Sequence, residues 1–109
     1  MAGHPILAAS PTLADIQAYI KAVIKHRGFD DETVQDQFIM LTEEVGELAK
    51  ALRKSHGTAR IARDSAVGQV EHEAADVLWM LVCVCNQLGI DLEAALRSKE
   101  EVNKQRVWG

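Results

Sequence analysis

The chain reads as an all-α protein, a four-helix bundle completed by oligomerisation. Apolar residues recur at spacings of three and four through four successive segments, and no segment shows the period-two alternation of a half-buried strand. The third segment is apolar over most of its circumference. Neighbours within 109 residues cannot cover such a helix on every side, so a second subunit is expected to finish the packing.

Thr12 is placed to cap a first helix, in which Leu13, Ile16, Ile20 and Val23 form one face and Gly28 supplies the stop. Residues 1–11 precede it as a flexible N-terminal tail without the basic opening of a secretory signal, and residues 12–109 form the helical domain. The second helix begins near Thr33, and Val34, Phe38, Leu41, Val45, Leu48 and Leu52 then alternate spacings of four and three. Residues Ser55 to Gly68 carry two glycines and mixed charges, which predicts a mobile connection with a short helical turn at most. A third helix runs from about Gln69 to Leu88, with Val77, Leu81, Val84 and Leu88 on one stripe and Leu78, Val82 and Cys85 on its neighbour. Gly89 ends it, Asp91 caps a fourth helix, and Leu92, Ala95, Leu96 and Val102 give that helix an apolar face.

A 48% hydrophobic and 26% charged composition is that of an ordinary globular chain, and the net charge of -4 argues against partners such as nucleic acid or an anionic membrane. The longest apolar run is interrupted at Asp76 and ends at Asn86 and Gln87, short of the roughly 20 residues that span a bilayer. Cys83 and Cys85 point to different faces of a helix and lack the spacing of a zinc or redox pair. They are expected to be reduced core thiols of a cytoplasmic protein.

From Ala74 to Cys85 the chain reads AADVLWMLVCVC, in which Asp76 is the only charge. A carboxylate on a buried helix is costly unless it is paired, hydrogen-bonded or bound to a cation. Glu73 shares its face one turn earlier. On the second helix, within Glu43-Glu44-Val45-Gly46-Glu47, the carboxylates of Glu44 and Glu47 fall about 60° apart at the edge of the apolar stripe. Should the two faces meet, four carboxylates converge, and a cation or raised pKa values must relieve their repulsion. Oxygen-only donors favour Mg²⁺, with Mn²⁺ as a substitute, over the histidine and cysteine sets of zinc sites. Mg²⁺ bound by a few carboxylates usually also binds substrate phosphates. The ordinary alternative is a solvated acidic face in which Glu47 pairs with Lys50. His72 adjoins Glu73, although a lone histidine more commonly hydrogen-bonds or faces solvent.

Lys99, Asn103 and Arg106 follow at spacings of four and three and continue the inward face of the fourth helix. Lysine and arginine can neutralise phosphate oxygens and asparagine can read a base or sugar. The competing reading is a frayed helix end whose basic residues pair with Glu100 or Glu101. Trp79 and Trp108 can stack on a base, or simply bury their area in a core or interface.

The pattern E-E-x-x-E, then 25 residues, then E-x-x-D resembles the signature of the MazG-type nucleoside triphosphate pyrophosphohydrolases, in the all-α NTP pyrophosphatase superfamily. The segments LTEEVGELAKALRK, EAADVLWMLVCVCNQLGIDLEAAL and KEEVNKQR are similar to family text, so the resemblance extends over roughly Leu13 to Arg106. It implies Glu44, Glu47, Glu73 and Asp76 as magnesium ligands, with Glu43 and Glu47 in catalytic roles, Glu43 helping to hold a further metal or the attacking water. It also implies Lys99, Asn103 and Arg106 as substrate contacts. The activity implied is hydrolysis of a (deoxy)nucleoside triphosphate to the monophosphate and pyrophosphate in nucleotide-pool house-cleaning, by a homodimer or homotetramer. The phosphoribosyl-ATP pyrophosphohydrolases of histidine biosynthesis share the length and acidic motif. A non-catalytic helical interaction module is the alternative of another class.

Overall fold

In the computed structural model, which describes residues 3–57, 60 and 67–109, four α-helices follow one another and no strand occurs among the described residues. They are α1 (Leu13–His26), α2 (Val34–His56), α3 (Val70–Gln87) and α4 (Leu92–Lys104). Most of the expected mobile connection between α2 and α3 lies outside the described residues.

Side chains written into the sequence start three of these helices. Thr12 Oγ1 accepts from the Asp15 amide at 3.1 Å while Asp15 Oδ2 accepts from the Thr12 amide at 3.0 Å, and Thr33 and Asp36 repeat that reciprocal box at 3.1 and 3.2 Å. Asp91 Oδ1 accepts from the Ala94 amide to open α4. Gly28 and Gly89 follow α1 and α3 with φ of 76° and 67°, a left-handed conformation costly to any residue with a Cβ.

The chain divides into two compact units, residues 1–31 with 85–109 and residues 32–84. In the first, α1 touches α4. Gln17 is the fastening: its Nε2 donates to Asn86 Oδ1 at 3.0 Å and to the Ile90 carbonyl at 2.8 Å, and its Oε1 accepts from the Leu92 amide at 2.9 Å. Asn86 Nδ2 returns a bond to the Gln17 carbonyl at 2.9 Å. One α1 side chain thus satisfies the turn between α3 and α4, where backbone groups would otherwise lack partners. Ile20, Val23 and Cys85 are buried here.

The second unit holds α2 and α3 as far as Val84. Its buried residues are Ala51, Val82, Cys83 and, unexpectedly, Gln37. The stripe expected to be the core face of α2 is only partly so, since Phe38, Val45 and Leu52 are 58%, 48% and 43% exposed. The most buried line of α2 runs instead through Gln37 and Ala51, rotated from the Phe38–Val45–Leu52 line by about 100°. Helix α3 likewise leaves Leu78 and Leu81 exposed while burying Val82 and Cys83. Each of the two helices thus leaves apolar side chains uncovered.

Burial lifts the Cys83 thiol to about 11, with the negative Glu32 adding to the effect, and burial also raises Cys85. Both thiols are free and buried, as expected.

Replacing Gln17 with Leu removes three side-chain bonds at once and orphans the Leu92 amide. The variant is expected to lose about 1–3 kcal/mol of unfolding free energy, measured by urea denaturation, whereas a surface change such as Lys21→Ala leaves it within about 0.5 kcal/mol.

Candidate active site

Glu44 follows Gln37 and precedes Ala51 by seven residues each, so the turn of α2 that buries those two also draws Glu44 inward and leaves it half-buried. Helix α3 answers with Glu73 and Asp76, one turn apart. A carboxylate oxygen from each of Glu44, Glu73 and Asp76 lies within 4.8 Å of the others. Gly68, just ahead of α3, stands against this cluster: a Cβ there would collide with Glu73 Oε1.

The cluster is electrostatically strained. The Glu44 carboxyl is pushed above its ordinary value of 4.5, first by burial and then by the like charges of Asp76, Glu73, Glu47 and Glu43. Asp76 differs from the sequence expectation: its side chain is exposed, so proximity to Glu44 and Glu73, rather than burial of its own, gives it need of a counter-charge. Three oxygen donors from two helices, with like charges unrelieved by any basic group in the cluster, suit a hard divalent cation.

The remaining candidates are placed as follows. Glu43 and Glu47 are exposed on α2 and stand outside the convergent trio, near enough to act on Glu44 through their charge. Among the described residues Glu47 makes no ion pair with Lys50, whereas Glu93–Arg97 and Glu101–Lys104 pair on α4. His72 is exposed and outside the trio. Helix α4 buries none of its residues, so the expected inward face through Lys99 is not covered within the chain. Asn103 is half-buried, and Arg106 lies beyond the end of α4. These three belong to the first unit and the carboxylate trio to the second. Trp79 is half-buried, while Trp108 is exposed and its Nε1 donates to the Asn103 carbonyl at 3.1 Å.

Two features escaped the sequence reading. Gln37 is 3% exposed, and its Oε1 has no hydrogen-bond partner among the described residues. On the same first turns of α2, Asp36, Ile39 and Met40 together with Glu32 line a cavity of about 330 Å³. The seven-residue step from Gln37 to Glu44 was the available signal, hidden because a glutamine at a core position resembles a break in the apolar stripe.

The described residues thus join Glu44 of an E-x-x-E helix to Glu73 and Asp76 of an E-x-x-D helix in one carboxylate cluster, and the family match gives that cluster its class, the α-helical nucleotide hydrolases. The MazG nucleotide pyrophosphohydrolase domain matches residues 32–106, and the chain is a member of that family. It is therefore a hydrolase acting on nucleoside triphosphates. The YpjD protein of Bacillus subtilis is 34% identical over 84 residues, 77% of this chain and 76% of that one. Its crystal structure superposes with a TM-score of 0.76, covering 92% of this chain and 100% of the other. A dATP/dGTP diphosphohydrolase of cyanophage S-2L is 34% identical over 97 residues, 89% of this chain and 78% of its own length. The crystal structure of a Bacillus-conserved MazG protein, a nucleotide pyrophosphohydrolase, is 29% identical with a TM-score of 0.69, over 94% of this chain and 97% of that one.

Because the folded chain holds Glu44 above 4.5, the unfolded chain ionises first as pH rises, and each step through that interval favours unfolding. Below 4.5 the acid is neutral in both states and the penalty is absent. In chelator-treated protein, Glu44→Gln is expected to be more stable than wild type at pH 7, with the gain vanishing below pH 4.5. Urea melts of the two proteins at several pH values test this, and a gain that grows toward low pH would contradict the assigned cause.

Proposed function

We propose that this hydrolase splits the α–β anhydride of deoxyribonucleoside triphosphates, releasing the monophosphate and pyrophosphate, with Mg²⁺ held by Glu44, Glu73, Asp76 and Glu47. The observation that carries the reading is the approach of three carboxylate oxygens from α2 and α3 to within 4.8 Å of one another. Support for a deoxynucleotide comes from the S-2L relative, whose name specifies dATP and dGTP. Bound magnesium, for which Mn²⁺ can substitute, neutralises phosphate charge and makes water a better nucleophile.

The chain's own residues supply the rest. Glu44, Glu73 and Asp76 offer carboxylate oxygen donors from two helices, which suit a hard divalent cation. Glu43 and Glu47, exposed beside them on α2, orient the attacking water and take its proton as the oxygen bonds to the α-phosphorus and the bridging oxygen departs with pyrophosphate. Lys99 and Arg106 carry charge that suits phosphate oxygens, and Asn103 carries an amide that suits a base edge or a sugar hydroxyl. Such an enzyme clears unwanted nucleotides from the cytoplasmic pool, a reducing compartment that suits two free buried thiols.

A homodimer or homotetramer is part of this reading. The uncovered apolar side chains, Phe38, Val45 and Leu52 on α2 and Leu78 and Leu81 on α3, are more exposed apolar helix surface than a monomer ordinarily leaves in water.

A pyrophosphate-release screen over the common dNTPs and NTPs tests the reaction. Activity is expected with Mg²⁺ and lost on chelation, and Asp76→Asn or Glu73→Gln lowers it by about 100-fold or more. No pyrophosphate from any nucleotide, or release indifferent to chelator, defeats the reading. Light scattering tests the assembly: the wild type is expected as a dimer or tetramer and Leu81→Glu as a smaller species, and a monomeric wild type refutes it.

A further inference from the structure

Gly68 takes no part in the chemistry derived so far, yet it stands directly against one member of the carboxylate trio. A Cβ built on it would collide with Glu73 Oε1 and would lie 2.9 Å and 3.3 Å from Glu73 Cδ and Cγ. Backbone conformation is not the reason for a glycine at this position, since the described glycines with positive φ are Gly28, Gly89 and Gly109. What position 68 lacks is room for a side chain, and the atoms that occupy the room belong to a single glutamate.

The contact follows from how a helix starts. The Gln69 carbonyl accepts from the Glu73 amide at 3.0 Å, the first backbone bond of α3, so Gln69 stands at the cap, Gly68 just before it, and Glu73 is the fourth helical residue. Side chains at those two outer places generally meet, commonly as an apolar pair that fixes how the chain enters the helix. Here one of the pair is a carboxylate and the other has no side chain. An apolar residue at 68 would claim the space of the carboxylate itself, and the flexible far end of Glu73 is the part that must give way.

The place of that far end matters, because its oxygen lies within 4.8 Å of oxygens from Glu44 and Asp76. Ordinary contact between non-bonded heavy atoms is about 3.5 Å, so relieving the collision carries the carboxylate away from its present position. Mg²⁺ takes its oxygens at about 2.0–2.1 Å in near-ideal octahedral geometry, which a displaced donor no longer meets.

We propose that Gly68 is a positioning residue for the metal site, its missing side chain leaving the Glu73 carboxylate where it can share a cation with Glu44 and Asp76. The inference rests on the metal reading above and deepens it. Whatever fills position 68 loosens the site through Glu73, without touching the cation.

The test titrates Mn²⁺ alone into the chelator-treated full chain and follows the free ion by electron paramagnetic resonance, with melting temperatures taken in chelator. Gly68→Ala is expected to weaken Mn²⁺ binding by roughly 10- to 100-fold, the scale for losing the support of a metal ligand. It melts no lower than wild type, because alanine suits a backbone outside the left-handed region. Gln69→Ala, one residue along, changes binding by no more than about twofold. In a Glu73→Ala background, where a Cβ at 68 meets no carboxylate, Gly68→Ala likewise changes binding by no more than about twofold. Unchanged affinity in Gly68→Ala, a loss of equal size with and without Glu73, or a loss accompanied by a lower melting temperature overturns the assignment while leaving the metal site intact. If wild type binds no Mn²⁺, the metal reading itself falls, and this inference with it.

Discussion

Everything distinctive about this chain depends on holding Glu44, Glu73 and Asp76 within 4.8 Å of one another. Two unit charges at that distance repel by roughly 1 kcal/mol even in bulk water, and by more wherever burial lowers the effective dielectric. Burial of Glu44 and the surrounding acids raise its pKa in response. Among the described residues no ion pair relieves the trio, and a bound cation would relieve it.

The fold serves that constraint through ordinary means. Reciprocal Thr–Asp boxes fix where α1 and α2 begin, and hence which side of α2 carries Glu44. Gly68 leaves Glu73 the room that a Cβ would take from its carboxylate. In the other unit, Gln17 gathers Asn86, Ile90 and Leu92 around one amide, so that the turn between α3 and α4 is held by hydrogen bonds rather than by a large apolar core. Burial is sparse on α4, and the apolar side chains left open on α2 and α3 are consistent with a chain whose packing is finished by another copy.

Much of the fold was legible because its signals are local. Thr12, Thr33 and Asp91 lie within three residues of the amides they cap, and Gly28 and Gly89 adopt the left-handed conformation that makes them stops. The acidic pairs were legible for the same reason, since a three-residue spacing puts two carboxylates on one helical face whatever the tertiary structure. Exposure was less so. Periodicity marks the apolar lines of a helix without ranking them, and Phe38, Val45 and Leu52 looked as much like core as Leu41 and Leu48 do. Asp76 was expected to be buried because its neighbours in sequence are apolar, but on a helix those neighbours point in other directions.

The amino-acid sequence by itself determined four helices, their caps and stops, and two carboxylate pairs at helical spacing, because each of these arises from interactions within a few residues along the chain. Only the tertiary structure decided that Glu44, rather than Glu43 or Glu47, joins Glu73 and Asp76. That outcome is set by the rotation of α2 about its own axis as it buries Gln37 and Ala51. The same rotation buried Gln37, whose side-chain Oε1 meets no donor among the described residues, a property no spacing rule records because it depends on packing between elements.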